Sequence, residues 1–130
     1  MEYTINKLSQ MAKISSRTLR YYDEIGLLKP KRINFSGYRI YGEEEINILQ
    51  QILFYKELGV ELSIIKNIIN NPHFNALEAL ESHRQNLLIK KKQIDTLLEN
   101  VNNTIAYYEG RIKMSDKEKF QGFKEELIAE

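Results

Sequence analysis

The sequence predicts a mainly α-helical fold: a winged helix-turn-helix head with a small β-hairpin wing, followed by a long dimerisation helix. Three observations predict it. Two short amphipathic segments follow one another at the start of the chain, with only a few residues between them. A turn-rich stretch with strand-like flanks comes next, over residues 27–41. From Asn75 to Glu109 the chain then runs without Gly or Pro, and its second half carries an apolar seven-residue repeat.

Each element has its own signal. Thr4 is placed to cap a first helix in which Ile5, Leu8 and Ala12 recur at i, i+3 and i+7. Ile14 interrupts that pattern. Ser15 is a good N-cap for a second helix, Ser16 to about Ile25, and Gly26 ends it. So short a connection makes the two helices pack at a steep angle, as in a helix-turn-helix. After Gly26, Leu27, Leu28 and Ile33 flank Pro30, and Tyr38-Arg39-Ile40-Tyr41 alternates like a strand. Asn34-Phe35-Ser36-Gly37 reads as the tip between them. Lys29, Lys31, Arg32 and Arg39 make this wing basic.

Gly42 ends the wing. Glu43, Glu44 and Glu45 then fall in the first turn of a third helix, where negative charge suits the helix dipole. That helix runs to about Leu58, with Ile46, Leu49, Ile52 and Leu53 inward, and Gly59 breaks it. Leu62 to Asn70 forms a fourth helix before Pro72. In the long run that follows, one series reads Leu80, Leu87, Ile94, Val101, Tyr108. Its companion reads Leu77, Arg84, Lys91, Leu98, Ile105, Ile112. The polar first half leaves Ile94, Leu98, Val101, Ile105, Tyr108 and Ile112 as the coiled-coil seam. A helix of about 35 residues spans on the order of 50 Å, so its seam calls for a second chain. The alternative is a helix that folds back on its own core. Beyond it, Ser115-Asp116-Lys117-Glu118 forms a capping box, with Phe120, Phe123 and Leu127 at helical spacing. This amphipathic helix either docks on the coiled coil or leads into a longer protein. The resulting division is a head over residues 1–73, a dimerisation helix over 74–112 and a linker over 113–130.

Composition narrows the function. At 130 residues and 15.4 kDa, one small domain with an appendage is the limit. With 42% hydrophobic and 28% charged residues it is an ordinary folded soluble protein. Its net charge of +1 hides a split: residues 1–41 sum to +5 and residues 42–130 to −4. Only the first part looks ready to meet a polyanion. The absence of cysteine removes disulfides, thiolate metal sites and cysteine nucleophiles, and fits a cytoplasmic location. No apolar run approaches the roughly 18–20 residues of a membrane span, and Met1-Glu2-Tyr3-Thr4 does not open a signal peptide. His73 and His83 read as loop or surface histidines, so no metal is expected. No nucleophile motif, phosphate loop or paired His/carboxylate set points to an enzyme, and no catalytic residue or cofactor is expected.

On the second helix Arg17, Arg20, Tyr21 and Glu24 share one polar face, while Leu19, Tyr22 and Ile25 turn inward. Two Arg, a Thr and a Tyr at a helix N-terminus suit the major groove: Arg reaches guanine edges, Thr a thymine methyl, Tyr a phosphate. The plain alternative is a solvated face with Arg20 paired to Glu24.

The string Arg17-Thr18-Leu19-Arg20-Tyr21-Tyr22-Asp23-Glu24-Ile25-Gly26-Leu27-Leu28, then Pro30, Arg32 and Gly37-Tyr38-Arg39-Ile40-Tyr41, resembles the MerR family of transcriptional regulators. Leu58-Gly59 followed by Ile64-Ile65-Lys66 also fits. The resemblance implies a homodimer on a palindromic promoter operator, held by an antiparallel coiled coil. It implies activation by bending and untwisting an over-long promoter spacer, with RNA polymerase as partner. Carried onto this chain, Ser15, Arg17, Thr18, Arg20 and Tyr21 lie at the groove and its phosphates. Tyr38 and Arg39 are wing contacts, and Lys56 is a phosphate contact near a second wing. Residues Lys113 to Phe123 resemble the linker of the TipA-like, multidrug-sensing branch, in which an effector domain follows; that domain is absent from this chain. The competing class is a coiled-coil adaptor whose head binds protein, against which the charge split argues.

Overall fold

The computed structural model describes residues 1–124. The part of the expected tail helix that holds Leu127 lies outside them. In chain order the elements are β1 (Tyr3–Thr4), α1 (Ile5–Ala12), α2 (Ser16–Glu24), β2 (Arg32–Ile33), β3 (Arg39–Tyr41), α3 (Glu43–Glu57), α4 (Leu62–Ile69) and α5 (Ala76–Tyr108), followed by a 3-10 turn at Lys117–Phe120. The fold is mainly helical with one small antiparallel sheet, as the periodicities require.

The caps sit where the short polar residues predict them. Thr4 accepts a hydrogen bond from Lys7 N at 3.3 Å, and Ser15 accepts one from Thr18 N at 3.0 Å. Gly26 takes φ +73° and ends α2. Gly42 N donates to Glu45 Oε1 at 2.8 Å, closing the start of α3. Asn75 Oδ1 does the same for α5 by accepting from Glu78 N at 3.1 Å. At the wing tip, Asn34 Oδ1 accepts from Ser36 N and Tyr38 N at 3.0 and 2.9 Å, which holds the turn by its own side chain.

The wing has three strands, not two. Tyr3 pairs with Tyr41 and Thr4 with Ile40, so the sheet order is β1-β3-β2. On the other side, Arg32 pairs with Ile40 and Ile33 with Arg39. A strand of two residues has no periodicity to read, which is why β1 is invisible in the sequence.

The chain divides into two compact units, Met1–His83 and Arg84 onward. In the first, Leu8 of α1, Leu19 and Tyr22 of α2, Tyr41 of β3, Ile52 of α3 and Ile65 of α4 meet in one core, each at most 2% exposed. Burying side chains of this size contributes about 1.5–3 kcal/mol apiece before chain entropy is counted. His83 belongs to this unit and corrects one expectation. It is a buried residue, 2% exposed, with Nε2 3.1 Å from Gln51 Oε1. Its ring stacks on Phe54 at 5.3 Å and meets Tyr55 edge-on at 4.3 Å. The polar stretch around it in sequence conceals a helix face turned to α3. His73 is exposed, as expected.

In the second unit the residues after α5 return along the helix. Asn100 is buried and donates to Lys119 O at 3.0 Å and Gln121 O at 2.8 Å; Gln93 donates to Gly122 O at 3.3 Å. The capping box forms, since Ser115 Oγ accepts from Glu118 N at 3.2 Å and donates to Glu118 Oε1 at 2.8 Å. Among the described residues a 3-10 turn at Lys117–Phe120 follows it, where the sequence predicts an amphipathic helix through Phe120 and Phe123. The carbonyls of Lys119, Gln121 and Gly122 accept from Asn100 and Gln93, and Gly122 adopts φ +88°, outside the helical region. Phe120 and Phe123 remain exposed. The seam residues Ile94, Leu98, Val101, Ile105 and Tyr108 are all exposed on α5, and Ile112 lies just past its end. The tail covers the neighbouring face of the helix, with Asn100 and Ala106, and leaves the seam open.

Candidate nucleic-acid interface

The polar face of α2 is built from its first two turns. Arg17, Arg20 and Tyr21 are exposed there, while Leu19 and Tyr22 anchor the opposite face in the core. Ser15 and Thr18 engage each other, Oγ to Oγ1 at 2.8 Å, at the mouth of the helix. Ser16 donates to Asn6 Oδ1 at 3.2 Å, which ties α2 to α1. Among the described residues neither Arg17 nor Arg20 enters an ion pair. The Arg20–Glu24 pair of a plain solvated face does not form.

The wing is electrostatically different. Lys31 and Arg32 both pair with Glu2, Lys31 at 3.1 Å. These hydrogen bonds, first from Lys31 and then from Arg32, hold the Glu2 carboxyl below its usual range. Arg39 Nε donates to Asp23 Oδ2 at 2.9 Å, and Lys29 lies 3.4 Å from Asp23 Oδ1. The bond to Asp23 pushes the Arg39 guanidinium above its ordinary value. The basic residues that make the wing look positive in sequence are thus tied to Glu2, just before β1, and to Asp23 of α2. Tyr38 stays exposed beside the tip, and Phe35 at the tip has no cover at all. Phe35 is a residue that sequence reasoning passed over, because an apolar residue in a turn carries no periodic signal.

Lys56 comes from α3, yet its Nζ lies 3.1 Å from the hydroxyl of Tyr22 on α2. The same ammonium lies 5.8 Å from the Tyr22 ring centre. Tyr22 is buried, and its hydroxyl, accepting from Lys56, holds that ammonium against α2. The described residues therefore place Ser15, Arg17, Thr18, Arg20 and Tyr21 on one helix, Lys56 against that helix through Tyr22, and Arg39 against it through Asp23. Tyr38 stands apart on the wing. Among the described residues no group of three or more His, Cys, Asp or Glu is arranged to hold a metal ion, and no helix is long and apolar enough to cross a membrane.

A short helix-turn-helix with two unpaired arginines on its second helix and a three-stranded wing defines a class, the winged helix-turn-helix regulatory proteins. The MerR HTH family regulatory protein model matches residues 3–71, and this chain belongs to the MerR family. It is 34% identical over 130 residues to the HTH-type transcriptional activator mta of Bacillus subtilis, covering all of this chain and 51% of that protein. It is 29% identical over 123 residues to the transcriptional activator TipA of Streptomyces coelicolor, covering 95% of this chain and 49% of that one. The crystal structure of the transcriptional regulator SkgA from Caulobacter crescentus superposes with a TM-score of 0.86 at 35% identity, covering 95% of this chain and 89% of that chain. These relatives are named as transcriptional regulators or activators. This chain spans about half the length of the curated relatives it matches.

Proposed function

We propose that this chain is the DNA-binding and dimerising part of a transcriptional regulator. The observation that carries the reading is the pair of unpaired arginines, Arg17 and Arg20, on the exposed face of α2 of a head whose four wing cations share the carboxylates of Glu2 and Asp23. Unpaired guanidinium groups at a helix mouth are the groups that exchange water and counterions for phosphates and guanine edges. Thr18, Tyr21 and Ser15 complete that surface. Tyr38 reaches a second phosphate from the wing, and Lys56 a third. The open apolar stripe Ile94, Leu98, Val101, Ile105 and Tyr108, continued by Ile112, takes a second copy in an antiparallel coiled coil and so sets the distance between two heads. Two heads at fixed spacing fit a palindromic operator and can distort the promoter spacer between them to the advantage of RNA polymerase. The likeness of residues 113–123 to a multidrug-sensing branch extends the proposal to a drug-responsive effector domain.

The test is footprinting on the promoter of the protein's own gene, at several salt concentrations, with and without hydrophobic cations. A protected palindrome and affinity that falls steeply with salt are expected. A flat salt response, or no protection, rejects the DNA reading in favour of a coiled-coil protein adaptor.

A further inference from the structure

Asp23 gathers both legs of the wing. Its Oδ1 receives Lys29, from the chain entering the wing, and its Oδ2 receives Arg39, on the strand leaving it. Asp23 itself sits in the last turn of α2, two residues beyond Tyr21. Asp23–Arg39 is a sheltered ion pair, with side chains 17% and 27% exposed. Arg39 and Tyr41 lie on the same face of β3, and Tyr41 is wholly buried. The guanidinium therefore points along the core side of the strand, toward α2.

We propose that Arg39 is a positioning residue: with Asp23 it fixes the wing at one distance from the groove-reading helix, and it does not spend its charge on a phosphate. This rests on the DNA reading above and assigns Arg39 a different part in it. Were Arg39 to leave Asp23 for a phosphate, the sheltered carboxylate beside a polyanion would keep only Lys29, the more distant and more exposed of its two partners. Kept together, the pair ties the wing to α2. Tyr38, the neighbour of Arg39 in the chain, then meets the backbone at a spacing set by α2.

A double-mutant cycle separates the two roles. The chains are wild type, Asp23→Asn, Arg39→Gln, the double variant, and the charge swap D23R with R39D. Affinity for the operator is measured by fluorescence anisotropy across a salt series. Amide exchange over residues 32–41 is measured without DNA. A positioning pair predicts that each single variant loses roughly tenfold in affinity and the double variant no more than the worse single. The slope of affinity against salt stays as in wild type, wing exchange rises in all three, and the swap recovers part of both readouts. The proposal is overturned if Arg39→Gln lowers the salt slope by about one per protomer while Asp23→Asn binds as well as wild type or better, the signature of a phosphate contact. It is overturned equally if wing exchange is unchanged in both single variants. A wild-type chain that binds no DNA rejects the DNA reading, and the exchange data still decide whether the pair holds the wing.

Discussion

His83 Nε2 lies 3.1 Å from Gln51 Oε1, and neither side chain reaches solvent. The contact joins the start of α5 to the middle of α3 between the rings of Phe54 and Tyr55. Nothing in this packing offers the imidazole a counter-charge, and burial lowers its pKa below the usual 6.5. A neutral histidine is what the pocket accepts.

That fixes the sign of a pH effect. The folded value lies below the unfolded one, so the stabilisation is present above about 6.5 and is lost as pH falls toward the folded value. The melting temperature is expected to fall between about pH 7.5 and about pH 5.5. His83→Gln removes the titrating group and should flatten that slope in thermal melts followed by circular dichroism. An unaltered slope in His83→Gln would place the acid sensitivity elsewhere.

Gly122 is a second point of contact that tolerates little change. A Cβ there would meet Leu97 N at 2.8 Å and the carbonyl carbon of Thr96 at 3.0 Å, both backbone atoms. With φ at +88° as well, Gly122→Ala is strained twice over. The tail should lift from α5, with faster amide exchange at residues 117–122 and quicker tryptic cleavage at Lys117 and Lys119. The melting of the head should not move. Wild-type protection of the tail in the variant would contradict the packing described.

Arg20→Ala is expected to reduce discrimination between operator and unrelated DNA by about 1–3 kcal/mol, leaving non-specific binding nearly intact. Lys56→Gln should instead weaken both kinds of binding alike and lower the salt slope. Tyr22→Phe, which removes the hydroxyl that holds Lys56, should reproduce a part of the Lys56→Gln loss. Competition titrations at fixed salt distinguish these patterns; equal losses for Arg20→Ala on both DNAs would make it a phosphate contact.

Leu98→Glu combined with Ile105→Glu puts two charges into the open stripe of α5. Sedimentation should then report monomers, with head stability retained, since both residues are about half exposed in one chain (56% and 50%). A dimer that survives both substitutions would locate the seam on another face.

Short-range chemistry was legible in the sequence, and long-range chemistry was not. Thr4, Ser15 and Gly26 act within one helical turn, so their roles could be read residue by residue. Leu19, Tyr22, Leu49 and Ile52 declare their burial by period alone. The partners of the wing cations could not be read this way: Glu2 is remote in sequence from Arg32, and Asp23 from Arg39. A charge count treats the wing cations as free, whereas Lys29, Lys31, Arg32 and Arg39 share the carboxylates of Glu2 and Asp23, and Arg17 and Arg20 enter no ion pair among the described residues. His83 was misread for a related reason, because no local pattern announces that Phe54, Tyr55 and Gln51 will surround it. The tail helix failed at Gly122, whose conformation is set by α5 and not by its neighbours.

The pairing of Tyr3 with Tyr41 also has a kinetic meaning. It makes the wing a non-local part of the head, because its sheet closes a loop containing α1 and α2. The entropy of that closure must be met before the strand hydrogen bonds reward it. The helix pair can collapse early around Leu8 and Leu19, but β1 has no partner until Tyr41 has left the ribosome. During synthesis, the reading surface on α2 therefore takes shape before the wing that it must work with.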